Sequence, residues 1–124
     1  MANIGGSITG VIQKRVFSGK NAIGEGETSW VDAFTNVLGW LGLQNGDSKY
    51  TNHKAKIEES THVFLCDFNA GIYALSIPDA SGKLPTVRMI LKGIVYDVLL
   101  IDNPDEMDEQ LEIYLRRVGA WNGI

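Results

Sequence analysis

Residues 86–119 read TVRMILKGIVYDVLLIDNPDEMDEQLEIYLRRVG, and this stretch contains the clearest pattern in the chain. Two apolar runs, residues 86–91 and 94–101, are separated only by Lys92 and Gly93, which predicts a β-hairpin with a two-residue turn. The second run is apolar at almost every position, as is typical of a central strand with both faces buried. The first half of the stretch therefore predicts two paired strands.

The second half of the same stretch fits two structures. Residues 110–118 alternate leucine and isoleucine with polar or aromatic residues, which favours a strand. Asn103 and Pro104, followed by two acidic residues, are equally typical of the first turn of a helix. Both interpretations stay open from the pattern alone.

Residues 59–68 predict a further strand, because Phe64 and Cys66 alternate with the residues beside them. Residues 72–77 predict another short strand, which Pro78 ends. Residues 28–43 fit a strand or a helix by spacing, and their β-branched and aromatic content favours the strand.

The remaining segments are predicted as connections. Residues 1–27 are interpreted as an N-terminal arm and a glycine-rich loop, in which residues 8–17 are a possible first strand. Residues 44–58 form the longest polar stretch and begin with turn-forming residues. A connection of that length is often functional in a compact domain, so we expect a long functional loop there.

These segments together predict an all-β fold of about six or seven short strands, arranged as a small antiparallel barrel or sandwich. The chain has 124 residues, of which 44% are hydrophobic and 21% charged. These values fit one globular domain spanning residues 1–124.

Catalytic and metal-binding chemistry has few candidate residues, since the chain has two histidines and one cysteine. On a strand His62 and Cys66 would lie about 13 Å apart, too far for one metal ion to bind both. Ser60, His62 and Asp67 are the residue types of a hydrolytic triad, but their spacing does not place the carboxylate behind the imidazole. We therefore expect no enzyme activity, no catalytic residue, no metal site and no cofactor.

Charge argues against a general nucleic-acid-binding surface, because the net charge is −4 and the isoelectric point is about 5.0. The 44–58 loop is locally basic, which fits either a solvated loop or a contact with a nucleic-acid backbone. Its candidate functional residues are Asn45, Asp47, Lys49, Tyr50, His53, Lys54 and Lys56.

Two other sets of residues are candidate contacts with a partner or a second subunit. The acidic residues Asp105, Glu106, Asp108 and Glu109 fit either a solvated turn or a docking patch for a basic partner. Trp40 and Leu41 lie between glycines, where a core anchor and an interface anchor are both reasonable interpretations.

Four segments also carry a family resemblance in their order and spacing. They are WLGL with the following NGD (residues 40–47), EESTHVFLCDF (58–68), RMILKGIVYDVLLIDNP (88–104) and QLEIYLRRVG (110–119). The set resembles the head–tail joining, or head closure, proteins of long-tailed bacteriophages. Each segment is a short structural pattern without a catalytic signature, so the resemblance depends on the ordered set.

The resemblance implies a small β-barrel subunit that assembles into a ring of about 6 or 12 copies. It implies a place in the virion neck, below the portal and adaptor and above the tail, after assembly in the host cytoplasm and without a membrane. It also implies that residues 110–118 are a strand. Residues 44–58 would then form a channel or stopper loop that helps to retain packaged double-stranded DNA.

Two other functions fit the same predicted barrel. The first is a tail terminator-type ring protein with a similar barrel. The second is a β-barrel module that binds nucleic acid, which would require aromatic side chains on a basic face. In the basic loop only Tyr50 supplies such a side chain.

Overall fold

The computed structural model describes residues 5–20, 24, 26–43, 61–78 and 80–121. The strands in these residues are β1 (Ile8–Lys20), β2 (Gly26–Leu43), β3 (His62–Asp67), β4 (Val87–Leu91), β5 (Ile94–Asp102) and β6 (Gln110–Ala120). One helix, α1 (Ala70–Ala74), and one 3-10 turn, Pro104–Glu106, complete the described elements. The strands form a closed antiparallel barrel in the order β1–β2–β3–β6–β5–β4, which confirms the predicted fold class.

The interior of the barrel is filled by apolar side chains from every strand. Phe64, Met89 and Leu111 are fully or almost fully buried, and α1 adds Ile72 to the same cluster at one end of the barrel. A six-stranded barrel is narrow enough for side chains to fill it completely. No channel therefore passes through the described part of a single barrel.

The β4–β5 hairpin is confirmed, with Leu91 paired to Ile94 across the turn. Lys92 and Gly93 both have positive φ, 51° and 75°, which is the pattern of a type I′ turn. The prediction that β5 is buried on both faces holds for part of the strand. Val95 and Tyr96, which face opposite sides, are both buried, whereas residues 97–100 are only partly buried.

The sequence left residues 110–118 open between strand and helix, and the structure has strand β6 there. It pairs with β3 on one side and with β5 on the other. Asn103 and Pro104 begin only the short 3-10 turn, and the Asn103 side chain does not cap it. The strand is favoured because its alternating apolar residues fill the barrel from a position between two neighbours.

The strand predicted for residues 72–77 was wrong, since helix α1 covers Ala70–Ala74. The Asn69 side-chain oxygen accepts hydrogen bonds from the backbone N–H groups of Gly71 (2.8 Å) and Ile72 (3.1 Å). This N-cap satisfies donors that the first helical turn leaves unpaired. A short apolar run is too short to show whether its period is that of a strand or a helix. Asn69, as a potential N-cap, was the better indication of a helix.

The N-terminal prediction is also corrected. Strand β1 covers Ile8–Lys20, longer than the predicted 8–17, and β2 begins at Gly26, so the glycine-rich loop is shorter than expected. Register shifts lie between Gly10 and Ile12, between Ile12 and Gln13, and between Phe17 and Gly19. These irregularities interrupt the alternation that would have identified the strand. The predicted long loop at 44–58 lies outside the described residues.

A two-stranded ribbon extends beyond the barrel, and we define it as residues 15–20 of β1 paired with residues 26–30 of β2. Strand β4 pairs with β1 only as far as Lys14, and β3 pairs with β2 only from Gly39 onward. Asn36, at φ 56°, lies in the irregular pairing where β2 leaves the barrel. Among the described residues, the outer edge of β2 before Gly39 has no strand partner.

The described residues contain no helix that is both long and apolar enough to cross a membrane.

Candidate interaction surfaces

The two ends of the barrel carry different features. The α1 end is where β3 and β5 end, and it carries α1, the turn from β5 to β6 and the ribbon. The hairpin end carries Lys92 and Gly93, together with Leu43 and Thr61, which flank the long connection between β2 and β3. The candidate surfaces are therefore described by end.

The acidic turn, defined as residues 103–109 at the α1 end, has a fixed backbone with an exposed acidic rim. The buried Asn103 amide donates to Asp108 Oδ1 at 2.7 Å, and Asn103 Oδ1 accepts from the Asp108 N–H at 3.2 Å. The four predicted contact residues Asp105, Glu106, Asp108 and Glu109 are all exposed around these two hydrogen bonds. Met107 lies among them with 61% of its surface exposed.

The carboxylates of this turn raise the pKa of a neighbouring tyrosine, and one of them accepts its hydrogen bond. Tyr73, on α1, donates a hydrogen bond from its hydroxyl to Glu106 Oε1 at 3.3 Å. Burial raises the pKa of Tyr73, and Glu106 adds to the rise through its charge and its hydrogen bond. The surface at this side of the α1 end is therefore strongly negative around one apolar side chain.

An apolar groove, which we call the ribbon groove, lies between the start of the ribbon and the segment that leads into β4. The groove is open to solvent and has a volume of about 900 Å³. A hydrogen bond from the Arg15 N–H to the Thr86 carbonyl at 3.0 Å joins its two walls. Phe17, Ile77 and Leu84 line it and are 66%, 54% and 51% exposed. Its basic lining residues are Lys14, Arg15 and Lys83.

A row of polar side chains crosses the outside of the barrel. Gln13, although buried, donates to Asp32 Oδ1 at 2.9 Å and accepts from Arg88 Nε at 2.7 Å. Arg88 also lies over the Trp30 ring, with 4.2 Å from its guanidinium carbon to the ring centroid. Asp32, Gln13 and Arg88 occupy opposing positions on β2, β1 and β4, so these bonds fix the register of three strands.

Asp97 and Arg116 extend this row onto β5 and β6. Asp97 pairs in register with Arg88 on one side and forms an ion pair with Arg116 at 3.0 Å on the other. The row contains no nucleophile or proton-transfer pair, and each of its polar groups already has a partner. We interpret it as a structural feature that holds the sheet.

The other predicted interface residues, Trp40 and Leu41, point to different surroundings. Trp40 is 47% exposed, whereas Leu41 is partly buried and packs against the core. Consecutive residues of a strand face opposite sides, so only one of the two is available to a partner. The structure thus retains Trp40 as a candidate contact and places Leu41 in the barrel packing.

The loop candidates Asn45, Asp47, Lys49, Tyr50, His53, Lys54 and Lys56 lie outside the described residues. The described residues that follow that connection contact the barrel through a hydrogen bond and a ring–ring contact. Thr61 Oγ1 accepts a hydrogen bond from the Arg117 N–H at 2.8 Å, and the His62 ring meets the Tyr96 ring edge-on at 5.1 Å. Burial, together with the Arg117 charge, lowers the pKa of His62.

Cys66 has the surroundings of a core residue. Its side chain is 2% exposed, and burial, together with the charge of Asp67, raises the pKa of its thiol to about 11. The thiol is therefore protonated at neutral pH and is a poor nucleophile. Among the described residues, no group of three or more His, Cys, Asp or Glu side chains is placed to hold a metal ion.

Sequence reasoning found the acidic turn but missed the groove. A methionine within the acidic run, Met107, is the sequence signal that could have indicated an apolar contact surface there. Lys14 and Phe17 lie far in sequence from Lys83 and Leu84, so only the folded chain shows that they line one groove.

The chain matches no protein-family model and no curated protein.

Proposed function

We propose that this chain is a structural virion protein, a ring-forming head closure subunit that joins the portal and adaptor of a phage head to its tail and helps retain packaged DNA. The observation that carries the proposal is the ribbon that extends from a closed barrel with apolar side chains on its surface. The closed all-β barrel is also the fold that the ordered sequence resemblance implies.

The ribbon favours assembly because it is poorly supported within one chain. An isolated two-stranded ribbon is only marginally stable in water, and its unpaired edges favour pairing with another chain. Phe17, 66% exposed, and Val31, 42% exposed, lie on or next to this ribbon. Packing of a neighbouring copy against it would bury these side chains, and repeated contacts of that kind close into a ring when the rotation permits.

The packed interior of the barrel supports a channel formed between copies. DNA cannot pass through an interior filled by side chains such as Phe64 and Met89. In a ring the passage would instead lie on the symmetry axis. The net charge of −4 suits such a passage, because few cationic side chains make few phosphate contacts that would hold the DNA.

The stopper role of the 44–58 loop is tested by deleting residues 47–54 and completing particles with the shortened chain. We expect the protein to fold, because the deletion lies outside the barrel strands, and we expect packaged DNA to leak and become sensitive to nuclease. Wild-type particles prepared in parallel provide the control. Full retention of DNA by the deleted form would argue against a stopper loop.

A tail terminator-type ring protein is the second candidate, because the ribbon would favour a ring in that setting as well. Antibody labelling separates the two proposals on particles that lack tails. A head closure subunit stays on the tail-less heads, whereas a tail terminator is found on free tails.

A further inference from the structure

We propose that the acidic turn of one copy docks into the ribbon groove of the next copy. The inference rests on the proposed ring, since it names the contact between neighbouring subunits. The occupant of the groove is a second copy of this chain, and the argument rests on shape, charge and position in the barrel.

The apolar parts of the two surfaces are complementary. Met107 projects from the acidic turn with 61% of its surface exposed, so the turn presents an apolar side chain among four carboxylates. The groove presents Phe17 and Leu84, each more than half exposed. Methionine is flexible and makes favourable contacts with aromatic rings, so it adapts well to an open apolar groove.

The charges around the apolar parts are also complementary. Asp105, Glu106, Asp108 and Glu109 surround Met107 on the turn. Lys14, Arg15 and Lys83 flank the groove. Opposite charges favour the turn-to-groove contact, whereas contacts of turn with turn or groove with groove bring like charges together. The interface is therefore expected to be head-to-tail rather than symmetric.

The positions of the two surfaces suit a ring. The turn joins β5 to β6, and the groove lies between β1 and the segment that leads into β4. Both surfaces are at the α1 end. No lining residue of the groove belongs to the turn, so one docking contact leaves the other surface of each copy available for the next.

Paired charge reversal tests the contact directly. The turn variant carries Glu106→Lys and Glu109→Lys, which leaves the Asn103–Asp108 hydrogen bonds in place. The groove variant carries Lys14→Glu and Lys83→Glu. Native mass spectrometry and sedimentation velocity over a range of concentrations should show that each variant alone assembles at least about tenfold more weakly than wild type. An equimolar mixture should recover assembly as alternating copies, because both contacts are then attractive again.

Two further measurements keep the result interpretable. Lys92→Glu, at the hairpin end, is the matched control and should assemble like wild type. Met107→Cys and Leu84→Cys, placed in separate copies and mixed under a mild oxidant, should give a covalent dimer even if a charge reversal disturbs folding. Cys66 is buried and should not compete.

The outcomes separate the contact from the ring. Rings that form equally well in both charge-reversal variants, with no cross-link between positions 107 and 84, would overturn the docking contact and leave the ring proposal standing. A wild-type chain that stays monomeric at every concentration and in particles would overturn both.

Discussion

At the scale of single residues, the tightest packing lies where β2 meets β3 at Gly39. The Gly39 carbonyl accepts a hydrogen bond from the Ser7 N–H at 2.9 Å, and Gly39 pairs with Cys66. A Cβ at this position would overlap the Leu65 carbonyl oxygen and come within 2.6 Å of the Phe64 ring. Both neighbours are part of the barrel wall or its core and have little room to move.

Gly39→Ala is therefore expected to destabilise the protein by about 1–3 kcal/mol, the usual cost of overpacking a core. Urea denaturation followed by tryptophan fluorescence measures the change. Gly42→Ala is the control on the same strand, because the nearest atom to its Cβ would be Val63 Cγ1 at 4.0 Å. Equal stabilities for the two variants would show that the close approach at Gly39 is not real.

His62, at the hairpin end, makes the stability of the protein depend on pH. Burial and Arg117 lower its pKa, so the folded state binds a proton at this site less readily than the unfolded state. Its neutral form contributes stability that is present above the ordinary histidine pKa of about 6.5 and is lost as the pH falls below it. The wild type should lose more stability than His62→Gln between pH 7 and pH 5, measured by denaturant titration. Parallel pH curves for the two proteins would contradict this.

At the scale of elements, the stability of the short helix α1 depends on its N-cap. Five residues are too few to form a stable helix by propensity alone, and Asn69 bonds two of the free N–H groups. Asn69→Ala should cost about 1 kcal/mol of unfolding free energy, whereas Asn69→Asp keeps an acceptor and should cost less. Thermal and urea denaturation of the two variants provide the measurement. An alanine variant as stable as wild type would show that the cap does not hold α1.

Elements with local signals could be predicted from the sequence. The β4–β5 hairpin needs only Lys92 and Gly93 between two apolar runs, and both residues have the positive φ that such a turn requires. Strand β6 could not be decided locally, because Asn103 and Pro104 resemble a helix start. Its pairing with β3 and β5 favours the strand, and these partners are distant in sequence.

Among the candidate surfaces too, those built from consecutive residues could be predicted and those built from distant residues could not. The acidic turn could be found because its residues are consecutive. The ribbon groove could not be found, because Lys14 and Lys83 approach one another only after β1 has paired with β4. The row through Gln13 was missed for a related reason, since a buried glutamine is satisfied only by partners on two other strands.

At the scale of the whole molecule, the barrel has a filled core, and exposed apolar side chains lie at its α1 end. The core is filled from all six described strands, and within the described residues no buried side-chain nitrogen or oxygen lacks a hydrogen-bond partner. The exposed Phe17 and Met107 therefore do not reflect a poorly packed core. In the proposed ring, a neighbouring copy would cover these side chains and so add stability.

The most direct test of the ring is an image reconstruction of the head–tail junction in purified virions that contain this chain. We predict a closed ring of copies of this barrel between the portal–adaptor assembly and the tail, with the acidic turn of each copy against the ribbon groove of its neighbour. A chain that is absent from mature virions, or present there without forming a ring at the neck, would contradict the proposal.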